Sequence, residues 1–182
     1  PYECIVITVT RADDKKLLKK ALIDYLGVER PIVGFSALSG REDLFSFARE
    51  LRDEGALTLL AGPQADVDYL GERGWQEHPH RFKGLSKNFT FSLHGPAEQG
   101  IYLLQNLDEN GWQDTPGLLY CRQECEIVQN IPKTWEEKFL RKVRWSNIYT
   151  IGKEGLIPLK ISTGQVLQHI GCPHAARERM VE

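Results

Sequence analysis

The spacing of hydrophobic residues changes period several times along the chain, and each change marks an element. Residues 3–10, ECIVITVT, are a β-branched run that predicts a strand. Leu17, Leu18, Ala21, Leu22, Tyr25 and Leu26 then recur at helical spacing, with Asp13 or Asp14 as cap and Gly27 as stop. Lys15, Lys16, Lys19 and Lys20 fall mostly on the outer side and read as a solvated face, not a phosphate site. Residues 31–35 form a short apolar run, the pattern of a strand buried on both faces. Ser39-Gly40-Arg41-Glu42 fits a capping box with Ser39 as N-cap. Leu44, Phe47, Ala48 and Leu51 share one face of the helix that follows, and Gly55 suits its left-handed end. Residues 56–61 are a second apolar strand, closed by Gly62-Pro63. A strand, a crossover helix and a strand of this length predict one right-handed parallel unit. Ligands of such sheets bind at the carboxyl edge of the strands. That edge receives Ser36, Ala37, Leu38, Ser39 and Gly40 from one turn, and Ala61, Gly62, Pro63 and Gln64 from the next.

Downstream, a short helix over 65–73 leads into GWQEHPHRFKG, an exposed loop whose His78 and His80 lack a third regularly spaced metal ligand. NFTFSLH, residues 88–94, alternates Phe89, Phe91 and Leu93 and predicts a central strand closed by His94. Pro96 fits a first helical position, and Ala97, Ile101, Leu104 and Leu107 mark a helix to about 109. After Gly111 the alternation stops. GLLYCRQECEIVQ predicts a hairpin, and residues 134–137 are a capping box opening a helix. Strands over 147–151 and 156–161 follow, then a short helix ending at Gly171. The pattern predicts an α/β fold: a three-layer Rossmann-like (flavodoxin-like) parallel sheet over 1–110. A mixed α+β C-terminal extension over 111–182 leads toward a further domain.

The two edge turns carry a resemblance. Ser36-Ala37-Leu38 and Ala61-Gly62, with Gly62 placed 26 residues after Ser36, resemble the Ser-x-Leu and Gly-Gly elements of cobalamin-binding domains of the methionine synthase and mutase type. The phrase GFSALSG…LLAGPQA is similar to the cobalamin-binding-like domain that precedes many radical S-adenosylmethionine enzymes. Gly95 and Glu98 match part of a Gly-Glu-Gly-Glu-like turn of that family, while His94 and Pro96 depart from it. The resemblance covers about the first 110 residues. It implies cobalamin held by the two turns and bordered by His94, Gly95 and Glu98. The partner it implies is a C-terminal radical S-adenosylmethionine domain of the same protein, with the iron–sulfur cluster and S-adenosylmethionine beyond residue 182. The family's Asp-x-His-x-x-Gly loop does not occur, so cobalt is expected without a protein histidine below it. The strand that carries that loop lies upstream of Pro1 or is dispensed with. The alternative is a degenerate, non-binding domain of the same fold that serves as a docking platform.

Composition narrows the classes. With 41% hydrophobic and 26% charged residues the chain reads as a soluble globular protein, and a net charge of -2 offers no field to recruit nucleic acid. No apolar run approaches the ~20 residues of a membrane span, and four cysteines are too few for a disulfide scaffold, which points to the cytoplasm. Gly171-Cys172-Pro173-His174 resembles the start of a three-cysteine cluster motif, but Ala176 and Arg179 stand where thiolates are needed. Cys121 and Cys125 are likewise followed by Val128. His169, Cys172 and His174 form a tight group that a closed zinc site would need Cys121 or Cys125 to complete; the favoured reading is a buried Cys172 thiol with exposed histidines. The piece by itself is therefore expected to hold no cluster and to carry no complete catalytic constellation.

Overall fold

A computed structural model describes residues 4–27, 31–37, 41–70, 86–107, 111–122, 126–133 and 146–160. In it the strand–helix–strand unit forms as its hydrophobic periods require. Strand β2 (Ile32–Ser36), helix α2 (Glu42–Asp53) and strand β3 (Leu57–Ala61) follow one another, and β2 pairs parallel with β3 from Ile32↔Leu57 to Ser36↔Ala61. Strand β4 (Phe91–Leu93) adds parallel to β3. Two antiparallel strands complete this sheet, β5 (Leu118–Cys121) against β4 and β6 (Ile127–Gln129) against β5, giving the order β2-β3-β4-β5-β6. The sheet is thus parallel only across its first three strands. This corrects the expectation of a parallel sheet throughout: the predicted GLLYC hairpin folds back onto β4 instead of standing apart. Strands from both sides of residue 110 pair in this sheet.

The first strand departs further from expectation. β1 (Val6–Thr8) is shorter than 3–10 and does not join β2. It pairs parallel with β7 (Ile148–Gly152), which forms a hairpin with β8 (Gly155–Pro158). The second sheet has the order β1-β7-β8. β2 is consequently an edge strand. Gly34 and Ser36 are exposed, and only Phe35 of its residues is buried, so the expectation of burial on both faces fails for that reason.

Helix α1 (Lys15–Leu26) is capped by Asp14, whose Oδ1 accepts the N–H groups of Lys16 and Leu17 at 2.8 and 3.3 Å. Leu18, Ala21 and Leu22 are its buried stripe. Helix α2 starts at Glu42, with no side-chain cap at Arg41, so the predicted capping box does not set the described start; Ser39 and Gly40 lie outside the described residues. Its buried face is the expected Leu44, Phe47, Ala48 and Leu51, joined by Phe45. Helix α3 (Pro63–Leu70) opens directly from β3. Beyond β4, a 3-10 turn (Ala97–Gln99) runs into the short helix α4 (Gly100–Gln105). The expected helices over 134–145 and 162–170, and the His78/His80 loop, fall outside the described residues.

Two apolar clusters sit on this frame. One joins Leu18 and Leu22 of α1, the buried face of α2, Phe35, Leu60, Ala65 and Phe89. The other joins Phe91 and Leu93 of β4, Leu103 of α4, and Leu118 and Tyr120 of β5, with Trp112 packed against it. Phe89 therefore does not share a face with Phe91 and Leu93 as strict alternation over 88–94 predicts. The segment turns before β4 begins, and Phe89 enters the α2-side cluster. The approach is fixed by two threonines. The Thr58 N–H donates to Thr90 Oγ1 at 3.1 Å, and the Thr90 N–H lies 3.0 Å from Thr58 Oγ1 and 2.9 Å from the Thr58 carbonyl. Thr58 is fully buried, so this exchange satisfies backbone groups ahead of the β4 ladder.

Candidate functional site

The carboxyl edge of β2, β3 and β4 gathers most of the described residues that the sequence singled out. Ser36 and Ala61 are register partners at the ends of β2 and β3. Gly62 follows with φ +77, and a Cβ built there would come 2.6 Å from Ser36 Oγ. The second turn's backbone thus lies against the first turn's hydroxyl, which any side chain at Gly62 would have to displace, and its positive φ further favours glycine. Ser36 and Pro63 are exposed, Ala61 and Gly62 half-buried, and Ala37 and Gln64 buried. Leu38, Ser39 and Gly40 lie outside the described residues.

His94 closes β4, which is the third strand of five and so central, as predicted. Its N–H donates to the Gly117 carbonyl at 2.9 Å. Its ring Nδ1 lies 2.6 Å from Oδ1 of Asp66, and the same oxygen accepts the Gly95 N–H at 3.1 Å. The ring is largely enclosed, with 17% of its side chain exposed, while Asp66 is 44% exposed. Asp66 reaches this place because α3 starts at once from β3: the Ala65 and Asp66 N–H groups donate to the Gly62 carbonyl at 2.9 and 3.2 Å. A continuous set of contacts therefore links the three strand ends, from Ser36 through Gly62 and Asp66 to His94 and Gly95. Glu98 is half-buried in the 3-10 turn, and its side chain has no described contact with Ser36, Gly62 or His94.

Gln99 holds the far side of the His94 turn. It is 4% exposed. Its Nε2 donates toward the carbonyls of His94 and Pro96 at 3.4 and 3.3 Å, and its Oε1 accepts the Lys133 N–H at 2.8 Å. Sequence reasoning passed over both Asp66 and Gln99. Asp66 had a usable signal: a carboxylate in the first turn of a helix that starts at a strand's carboxyl end, where the helix dipole favours it. Gln99 had none.

An ion-pair network borders the first turn. Arg41 is bidentate to Asp43 at 2.8 Å from both Nε and Nη2, and its Nη1 reaches the Val9 carbonyl at 3.4 Å. Lys15 lies 3.1 Å from Asp43. The Arg41 guanidinium, helped by Lys15 and opposed by partial burial, holds the Asp43 carboxyl well below the usual carboxylate range. The network therefore stabilises the fold above the ordinary aspartate pKa of about 4, and its contribution is lost as pH falls below that value toward the depressed one. Asp43→Asn is expected to cost about 1 kcal/mol at neutral pH, and less as the acid limb is descended, in urea titrations across pH. An equal cost at acid and neutral pH would show that the charge plays no part.

Among the described residues, no group of three or more His, Cys, Asp or Glu side chains is placed to hold a metal ion. No described helix is long and apolar enough to cross a membrane. No protein-family model matches this chain, and it has no match among curated proteins or solved structures.

Proposed function

We propose that the chain is a cobalamin-binding module with a Rossmann-like unit, and that it positions a corrinoid at the carboxyl edge of β2, β3 and β4. One observation carries this reading: the glycine of the second turn lies against the hydroxyl of the first, in a cradle that a single Cβ would fill. A corrinoid needs such close backbone approach and little side-chain bulk. Ser36, exposed at that edge, has a hydroxyl that can donate to or accept from a nucleotide tail. Gly62 carries no side chain to obstruct the tail, and Gly95 borders the same edge. His94 Nδ1 is committed to Asp66, which agrees with cobalt that takes no imidazole from this chain through that atom. The corrinoid, when bound, supplies the metal-centred chemistry, and the chain's residues bind and orient it. On this reading the module is cytoplasmic and serves a radical S-adenosylmethionine domain of the same protein.

The test is equilibrium dialysis of the full-length protein against hydroxocobalamin. One equivalent is expected to be retained with a base-off spectrum. Gly62→Leu is expected to abolish retention, and Ser36→Ala to weaken it by about tenfold, the worth of one hydrogen bond. Circular dichroism separates loss of the slot from loss of the fold. A second reading has its own support. Gln64 and Ala37 are turned into the protein, at 7% and 9% exposure, as in an edge filled by its own side chains. A folded protein that retains no corrinoid would favour that docking platform.

A further inference from the structure

We infer that Asp66 is the positioning residue of this edge, and that it fixes His94 as the Nδ1–H tautomer while pinning the Gly95 amide. The inference about the ring and the amide stands on geometry alone; its relevance to corrinoid rests on the reading above. An ionised carboxylate only accepts hydrogen bonds. A neutral imidazole whose Nδ1 lies 2.6 Å from Asp66 Oδ1 must therefore carry its proton on Nδ1. Nε2 is then left with the lone pair, and whatever group meets it, from the protein or from a ligand, has to donate. The same oxygen holds the Gly95 N–H at 3.1 Å, so one side chain sets both the ring and the backbone of the turn. The ring has little freedom to escape this choice. It is mostly enclosed, and the His94 backbone is gripped by Gly117 on one side and by Gln99 on the other.

The arrangement also explains why α3 begins without a connecting loop. Starting at Pro63, the helix brings its fourth residue over the end of β4, which is one strand beyond β3. A loop of even a few residues between Gly62 and the helix would carry the carboxylate away from His94. Asp66 is thus the link between the ends of β3 and β4, and it sets the Gly62 turn proposed to hold the ligand against the His94–Gly95 turn that borders it.

Long-range proton–nitrogen NMR of the full-length protein at about pH 8, above the ordinary imidazole pKa, reads the tautomer without any ligand. The expected pattern for His94 is protonated Nδ1 and unprotonated Nε2. In Asp66→Ala the ring is expected to lose that pattern, and Gly95 amide exchange to quicken by about tenfold. Asp66→Asn keeps an acceptor oxygen in place and is expected to leave Gly95 exchange closer to wild type. A wild-type His94 protonated at Nε2, or Gly95 exchange unchanged in a folded Asp66→Ala protein, would overturn the inference. These readouts are independent of corrinoid retention. A fixed tautomer with no corrinoid bound leaves this inference intact and removes the functional reading.

Discussion

Gly117→Ala is expected to lower the unfolding free energy by about 2–4 kcal/mol, with the denaturant slope unchanged. Gly117 has φ +71 and immediately precedes β5. An alanine there carries the strain of the left-handed region. It also drives its Cβ into the His94 carbonyl oxygen. That neighbour is backbone, so no side-chain rotation relieves the overlap. The residue is further bound on both of its polar groups: its N–H donates to Ile131 at 3.3 Å and its carbonyl accepts the His94 N–H at 2.9 Å. Relief therefore requires opening the join between β4 and β5, which carries His94 away from Asp66. Gly34→Ala is the control. Gly34 lies on the exposed edge strand with nothing within 4 Å of an added Cβ, and alanine there is expected to shift stability by less than about 1 kcal/mol. Urea titration of both variants checks the pair, and a Gly117→Ala cost no larger than the control's would show that the turn yields freely.

The parts of the fold that were legible in the sequence are those that a local period specifies. The buried face of α2 and the strand that follows it came from spacing alone, because the period of apolar residues is a local property of the segment. The position of Ser36 at the end of β2 and of Gly62 just after β3 was legible for the same reason. Pairing across long separations was not legible. Nothing in the first strand names β7 as its partner, since a β-branched run fits any vacant edge. Likewise, the strands of the GLLYC hairpin carry no mark that they extend the main sheet instead of standing beside it. At the site, His94 was visible because it ends an apolar run. Asp66 offered only its place in the first turn of a helix, and its partner was not legible, because a carboxylate there reads as solvated until the end of another strand is brought beneath it.

Phe89 shows the same limit from the energetic side, and its replacement is the second large effect. Read along the chain, Phe89, Phe91 and Leu93 alternate as one face. In the fold they divide, with Phe89 in the α2-side cluster and Phe91 and Leu93 on the opposite side of the sheet. Alternation requires a continuous extended chain, and here the ladder begins only at Phe91. Phe89 is 1% exposed and meets Phe35 and Phe45 edge-on, at ring-centre distances of 5.4 and 5.9 Å. Its ring contacts both the edge strand β2 and helix α2. Phe89→Ala removes that ring from a closed cluster and is expected to cost about 3–5 kcal/mol. Part of the loss is the edge-to-face contacts themselves, about 0.5–1.5 kcal/mol each beyond the area they bury. Phe89→Leu keeps most of the volume and is expected to cost about 1–2 kcal/mol. The double-mutant cycle with Phe45→Ala distinguishes the two origins. Coupling of about 1 kcal/mol is expected from a shared ring contact. If the two losses simply add, the Phe45 ring contact contributes nothing beyond buried area, and the approach to β4 is held by the Thr58 and Thr90 exchange and the Phe35 contact.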